Sequence, residues 1–184
     1  MNTSAEADFQ AFVVSRWPRM LRTARLLTGN HHDAEDLVQA ALAKAYVKWD
    51  KVQRADDADA YVWRVMINAN ADRMRLLRVR EWLTTRFPET AAPDRTDGVA
   101  ARSVLAAALQ RLPPRQRAVI VLRYLEDRSE TEVARMLGTR VGTVRSHTAR
   151  ALRSLREQPD VTETWAGLPP ARTGVGPVTG EARP

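Results

Sequence analysis

The side chains best placed for chemistry are arginines in the run from Ser129 to Arg156. Ser129 followed by Glu132 is a capping box, in which each side chain satisfies an amide left free at a helix start. Val133, Ala134 and Leu137 then face inward. Gly138 stands where the chain must turn, and Val144 opens a second apolar stripe that continues through Ala151, Leu152 and Leu155, with Thr148 among them. Ser146, Ala149, Arg150 and Arg153 fall on the opposite side, flanked by Arg145. A small residue at 134 lets two helices approach, and a residue without a β-carbon suits the turn at 138. The spacing predicts a helix-turn-helix whose second helix offers arginines to a DNA major groove, where a guanidinium bonds guanine through two hydrogen bonds. The plain alternative is a helical hairpin with a solvated basic face.

Catalytic chemistry finds little to use. There is no glycine-rich phosphate loop of Walker or Rossmann spacing, and cysteine is absent, which excludes disulfides and thiolate metal sites. The histidines are His31, His32 and His147. The first two diverge at a helix start and have no convincing third ligand. Asp56-Asp57 is more simply a helix cap than a catalytic pair. No catalytic residue, metal or cofactor is expected, and an enzyme, such as a hydrolase or nuclease, is the disfavoured rival.

The bulk properties agree with a polyanionic partner. Lys and Arg number 29 against 22 Asp and Glu, a net charge of +7, and cations on a protein displace the counterions condensed on nucleic acid. At 184 residues and 44% hydrophobic, the chain can bury a core or two small ones. No apolar run approaches a membrane span, and the polar, acidic start lacks the pattern of a signal peptide. The expectation is a soluble, cytoplasmic protein without membrane contact.

The elements that must position these residues are all helical. A short helix from about Ala5 to Arg16 is expected to break at Trp17-Pro18, with a second from Pro18 to about Thr28, ended by Gly29-Asn30. Ala34, Leu37, Val38, Ala41, Leu42, Ala45, Tyr46 and Trp49 recur at helical spacing behind acids at Asp33, Glu35 and Asp36. A loop at 50–56 precedes a helix with Ala58, Tyr61, Val62, Val65, Met66 and Ala69 on one face and Trp63, Arg64, Asn68, Arg73 and Arg75 on the other. Residues 78–101 lose periodicity and are taken as a flexible linker with one helical turn around Trp82. Residues 158–184, rich in Pro, Gly and Thr, are taken as a disordered tail. The fold class expected is all-α: helical domains at 5–77 and 102–157 that tumble semi-independently.

Two stretches resemble one family. DAEDLVQAALAKAYVKW (Asp33 to Trp49) resembles region 2.2 of bacterial sigma factors, and the run from Leu112 to Arg156 resembles their region 4. LLRTARLLTGN and AYVWRVMINANADRMR also look like the first half of the family, in its compact, extracytoplasmic-function, SigE-like branch. The resemblance implies an RNA polymerase subunit that confers promoter choice. It places Asp36 and Gln39 on the beta-prime clamp helices of core polymerase. It puts Lys51, Arg54, Asn68 and Arg73 on a melted −10 element. Arg145, Ser146 and Arg150 would face the −35 element, with Arg123 on phosphate. Contact of the second domain with the beta flap is also implied, and an anti-sigma factor as partner is left open.

Some residues depart from the family's usual pattern. Thr148 stands where an aliphatic residue is common, His147 where Arg or Lys is frequent, and Glu130 brings a negative charge near the expected DNA backbone. Trp63 has a competing role as core, Arg64 as a solvated charge, and the acids of the 33–49 helix as dipole compensation. The competing function is an ordinary helix-turn-helix regulator that binds duplex DNA without polymerase.

Overall fold

The computed structural model describes residues 3–83 and 100–164. Among them every regular element is helical: α1 (Thr3–Thr28), α2 (His31–Val47), α3 (Trp49–Gln53), α4 (Ala58–Leu83), α5 (Ala100–Gln110), α6 (Pro114–Ile120), α7 (Glu130–Leu137), α8 (Val141–Arg156) and α9 (Pro159–Thr164). A π-helical turn, Val121–Leu125, continues α6.

The first helix corrects an expectation. Pro18 lies inside a continuous α1 rather than breaking it. Proline removes the hydrogen bond to the carbonyl four residues earlier; here that residue, Val14, is largely exposed, as is Pro18, so water can reach the freed carbonyl. Gly29, at φ +95, ends the helix, and its N–H bonds Arg25 O at 2.8 Å. Asn30 then caps α2, its side chain accepting the Asp33 N–H at 2.8 Å. Asp57 caps α4 in the same way, accepting from Ala60 N–H at 2.8 Å, so the cap reading of Asp56-Asp57 holds at Asp57.

The first core forms where Met20, Ala24 and Leu27 of α1 meet the α2 stripe (Ala34, Leu37, Val38, Ala41, Leu42 and Ala45) and α4. Each large side chain so buried contributes about 1.5–3 kcal/mol. The segment expected as a loop at 50–56 holds α3, which buries Trp49 and Val52. Phe9 and Phe12 pack edge-on against Trp49 with centroids 5.1 Å apart, and Tyr46 meets Phe9 at the rim, partly exposed rather than in the stripe. In the second core, Leu109, Leu112, Val119, Leu122, Val133, Met136, Val144, Ala151 and Leu155 are buried together.

Both segments expected to be irregular contribute helix. α4 runs to Leu83, through Trp82, and α5 begins at Ala100; the rest of the expected linker, 84–99, lies outside the described residues. Of the expected tail, Pro159–Thr164 forms α9, which packs on α5 and buries Val161, while 165–184 lie outside the described residues. Arg111 bonds Gln158 Oε1 at 3.0 Å and pairs with Asp160 at 3.3 Å, tying α9 down.

The two domains are also in direct contact. α1 packs on α5, α6 and the π turn, and α4 packs on α6 and α7. The arrangement differs from the semi-independent domains expected from the sequence. Its cause is a set of polar pairs between the domains, which apolar periodicity does not reveal.

Candidate nucleic-acid interface

The helix-turn-helix forms as its residues dictate. Ser129 Oγ accepts the Glu132 N–H at 3.2 Å, and Glu132 Oε2 accepts the Ser129 N–H at 2.8 Å, completing the capping box. The hydrogen bonds from Ser129 hold the Glu132 carboxyl below its ordinary range, and Arg128 adds to this. Gly138 closes α7 in the left-handed region at φ 60, donating to Ala134 O. A β-carbon there would meet nothing within 4 Å, so the need for glycine is one of backbone strain alone. Ala134 and Val144 are buried where the two helices cross.

The outer face of α8 presents Arg145, Ala149, Arg150 and Arg153 to solvent. Arg145 Nε lies 2.7 Å from Glu130 Oε2, so the acid that looked unfavourable near DNA restrains an arginine side chain that is 68% exposed. An exposed pair of this kind is worth about 0–1 kcal/mol, so a phosphate or base can displace it. Ser146 Oγ donates to Thr143 O at 3.0 Å, and Thr148 Oγ1 to Val144 O at 2.9 Å. The helix thus satisfies the Thr148 hydroxyl where an aliphatic side chain is common. Arg123, expected on phosphate, turns inward: its Nη1 donates to Arg128 O at 2.8 Å and its Nε is buried without a partner.

Sequence reasoning missed Arg115. The structure brings this exposed residue of α6 close enough to act on His147, alongside Arg150. Burial, then the charges of Arg150 and Arg115, hold the His147 imidazole below its ordinary value. The free protein therefore carries it neutral at pH 7, and phosphate placed against this cluster would favour its protonation. Binding of duplex DNA to α8 should then take up a proton, and affinity should rise as pH falls from about 8 to 6. Measuring affinity by fluorescence anisotropy across that range should show the slope in the parent and its loss in His147→Gln. An equal slope in both would remove His147 from the interface.

In the first domain, Asp36 and Gln39 project from the exposed side of α2, and His32 Nε2 lies 3.8 Å from Asp36. Lys51 and Arg54 are exposed on and after α3, Arg54 Nε bonding Asp50 O at 2.8 Å. Asn68 is exposed on α4, five residues before Arg73, which is ion-paired with Asp33 of α2. Trp63, by contrast, is core at 2% exposure, with the Arg19 guanidinium 5.8 Å from its ring centre, while Arg64 is exposed and lies over the Tyr61 ring at 4.9 Å. The −10 candidates thus fall on two elements, with the α3 cations apart from Asn68 in sequence. Among the described residues no group of three metal-ligating side chains occurs, and no helix is long and apolar enough to cross a membrane.

Comparison with known proteins agrees with this architecture. Residues 13–80 match the family described as Sigma-70 region 2, and residues 102–155 match Sigma-70, region 4. The chain is 41% identical over 151 residues to the RNA polymerase sigma-E factor of Streptomyces coelicolor, covering 82% of this chain and 85% of that one. It is 28% identical over 146 residues to the ECF RNA polymerase sigma factor SigW of Bacillus subtilis, covering 72% and 78%. The sigma factor RpoE of Bartonella quintana, solved with the anti-sigma factor NepR, superposes with a TM-score of 0.69 at 28% identity, over 82% of this chain and 95% of that one. With region 2 and region 4 each in place and a sigma-E relative along most of its length, the chain belongs to the sigma-70 family of RNA polymerase sigma factors, within the extracytoplasmic-function group.

Proposed function

We propose that this sigma factor binds core RNA polymerase through the exposed side of α2, around Asp36 and Gln39, and directs initiation by reading two promoter elements. Arg145, Ser146 and Arg150 on α8 take the −35 element in the major groove. Lys51, Arg54, Asn68 and Arg73 face the melted −10 strand, where cations meet the backbone and polar edges meet splayed bases. The observation that carries the reading is the capped helix-turn-helix with its open arginine face, in a chain of this family. Arg123 has an internal bond, so its part is to hold the turn before Ser129, and Arg115 is the better phosphate contact. The chain contributes no catalytic group and needs no cofactor; the nucleotidyl chemistry is the polymerase's. It works where the polymerase and promoter DNA are, in the cytoplasm. Contact with the beta flap and control by an anti-sigma factor fit the same reading.

The test is run-off transcription with purified core polymerase on genomic promoter fragments. Discrete transcripts that depend on the added chain are expected. Tight, sequence-specific duplex binding by the free chain, without polymerase-dependent transcripts, would instead establish the ordinary-regulator function. Docking is tested separately. Asp36→Arg with Gln39→Ala should weaken binding to core polymerase at least roughly tenfold, ~1.4 kcal/mol, with unchanged helical content. Unchanged affinity in a calorimetric titration would remove the α2 assignment.

A further inference from the structure

Of the arginines on the outer face of α8, one is held before any DNA arrives. Arg145 stands in the second turn of α8, and Glu130 is the first residue of α7. The two helices pack together, with Val133, Ala134 and Val144 buried, and this crossing brings the two positions within reach. The backbone at 130 is anchored by the capping box of Ser129 and Glu132, which does not use the Glu130 side chain. That side chain reaches across to α8, where its Oε2 lies 2.7 Å from Arg145 Nε. Among the described residues no carboxylate pairs with Arg150 or Arg153, which share the outer face.

The edge of the guanidinium that is occupied decides the consequence. Arginine carries five N–H groups in a planar fork. Glu130 accepts from Nε, at the root of the fork, while Nη1 and Nη2 make no hydrogen bond among the described residues. A pair of terminal nitrogens of this kind can meet O6 and N7 of a guanine together. Holding Nε removes rotamers of a long side chain in advance, so less freedom is lost when the terminal edge meets a base. The same carboxylate discourages the other use of the arginine. A phosphate against Arg145 would bring a second negative charge beside Glu130, whereas a guanine edge offers neutral acceptors.

We propose that Glu130 is a positioning residue for promoter specificity: by holding Arg145 at Nε it turns the terminal edge of that arginine onto one guanine of the −35 element and away from phosphate. The inference rests on the −35 reading of α8 given above, and adds to it the base that Arg145 takes and the residue that aims it. In a recognition motif of this type the first helix crosses the DNA backbone while the second helix enters the groove, so an acid at the start of α7 guards the border between the two. The plain account of Glu130 is an acid favoured by the dipole of α7. It makes a different forecast, because a dipole contact leaves the ranking of promoters untouched.

The test uses the full chain with core polymerase and run-off transcription from promoters carrying each single-base substitution across the −35 element. Arg145→Ala should lower the preference for guanine at one position about tenfold, within the range of a bidentate contact. Glu130→Ala should lower the preference at that same position about threefold, the scale of an exposed ion pair, and leave the other positions as they are. Added to Arg145→Ala, it should change the ranking no further. Glu130→Gln keeps an acceptor for Nε and should fall between the parent and Glu130→Ala. Circular dichroism should show unchanged helical content in each, since Ser129 and Glu132 still cap α7. In the free chain, the Arg145 Nε–H resonance, identified by its loss in Arg145→Lys, should shift in Glu130→Ala. An unshifted resonance would overturn the held arginine. Glu130→Ala that scales every promoter equally, or that acts at a position Arg145→Ala does not affect, would overturn the positioning role. If Arg145→Ala itself leaves every base preference intact, the −35 assignment of Arg145 fails and takes the inference with it. A position lost in Arg145→Ala but kept in Glu130→Ala sinks the inference alone.

Discussion

Trp63→Ala should destabilise the chain by about 3–5 kcal/mol, the usual loss for a large buried aromatic. Trp63 is 2% exposed and lies on α4 among Val62, Met66 and Ile67, all buried. Its indole N–H has no acceptor, so the side chain serves through packing alone. Trp63→Phe should therefore cost only about 1 kcal/mol, because it keeps most of the apolar area and deletes an unsatisfied donor. Urea titrations followed by circular dichroism would measure both. The competing role, a stacking surface for an unpaired promoter base, makes the opposite forecast. In that case Trp63→Ala would leave the unfolding midpoint in place and abolish promoter opening.

Arg150→Ala should change which −35 sequence is preferred, not merely how strongly DNA is bound. Arg150 is exposed on the outer face of α8, and a guanidinium that reads a guanine edge discriminates by about 1–3 kcal/mol at one base pair. Transcription from a set of base-substituted promoters should therefore lose its preference at one position. Alanine is a better helix former than arginine, so α8 itself should persist. Arg123→Ala should behave differently: it removes the Nη1 bond to Arg128 O and lowers stability, with promoter ranking intact. If Arg150→Ala scales all promoters equally, Arg150 contacts the backbone, and the salt dependence should then drop by about one phosphate.

Local rules carried much of the fold. The capping box at Ser129–Glu132, the turn at Gly138 and the α2 stripe each rest on residues within a few positions of one another, and each forms as its spacing demands. The misses at element ends have a common origin. Pro18 signals a break only if the freed carbonyl has no water, and that depends on which side of α1 faces the core. Residues 159–164 look like a polar tail until α5 supplies a surface for Val161.

The site residues follow the same division. The outward position of Arg150 follows from helical periodicity, and so does that of Asn68. The sequence pattern puts Trp63 on the outer face, with Arg64 and Asn68; a second face of α4 is covered by α6 and α7, which no local pattern announces. Arg115 and Arg117 stand two residues apart in one basic run, yet one faces solvent and the other is buried against α1. Only the tertiary partner distinguishes them.

The π turn at Val121–Leu125 has a consequence for helix phase. Arg117 and Glu126 both reach α1 although nine residues separate them, and nine steps of about 100° on an α-helix would end on opposite sides. A π turn holds one residue more than an α turn, shown here by the Glu126 N–H bonding Val121 O at 3.1 Å, so the rotation lags by about one step. Removing one residue from this turn would leave a continuous, well-formed helix whose following residues point elsewhere. Glu126 and Arg128 would swing off their partners without being altered themselves. The fit of the two halves is therefore written in residue count as well as residue type, and relatives that lack one position in this turn must join their halves through other contacts.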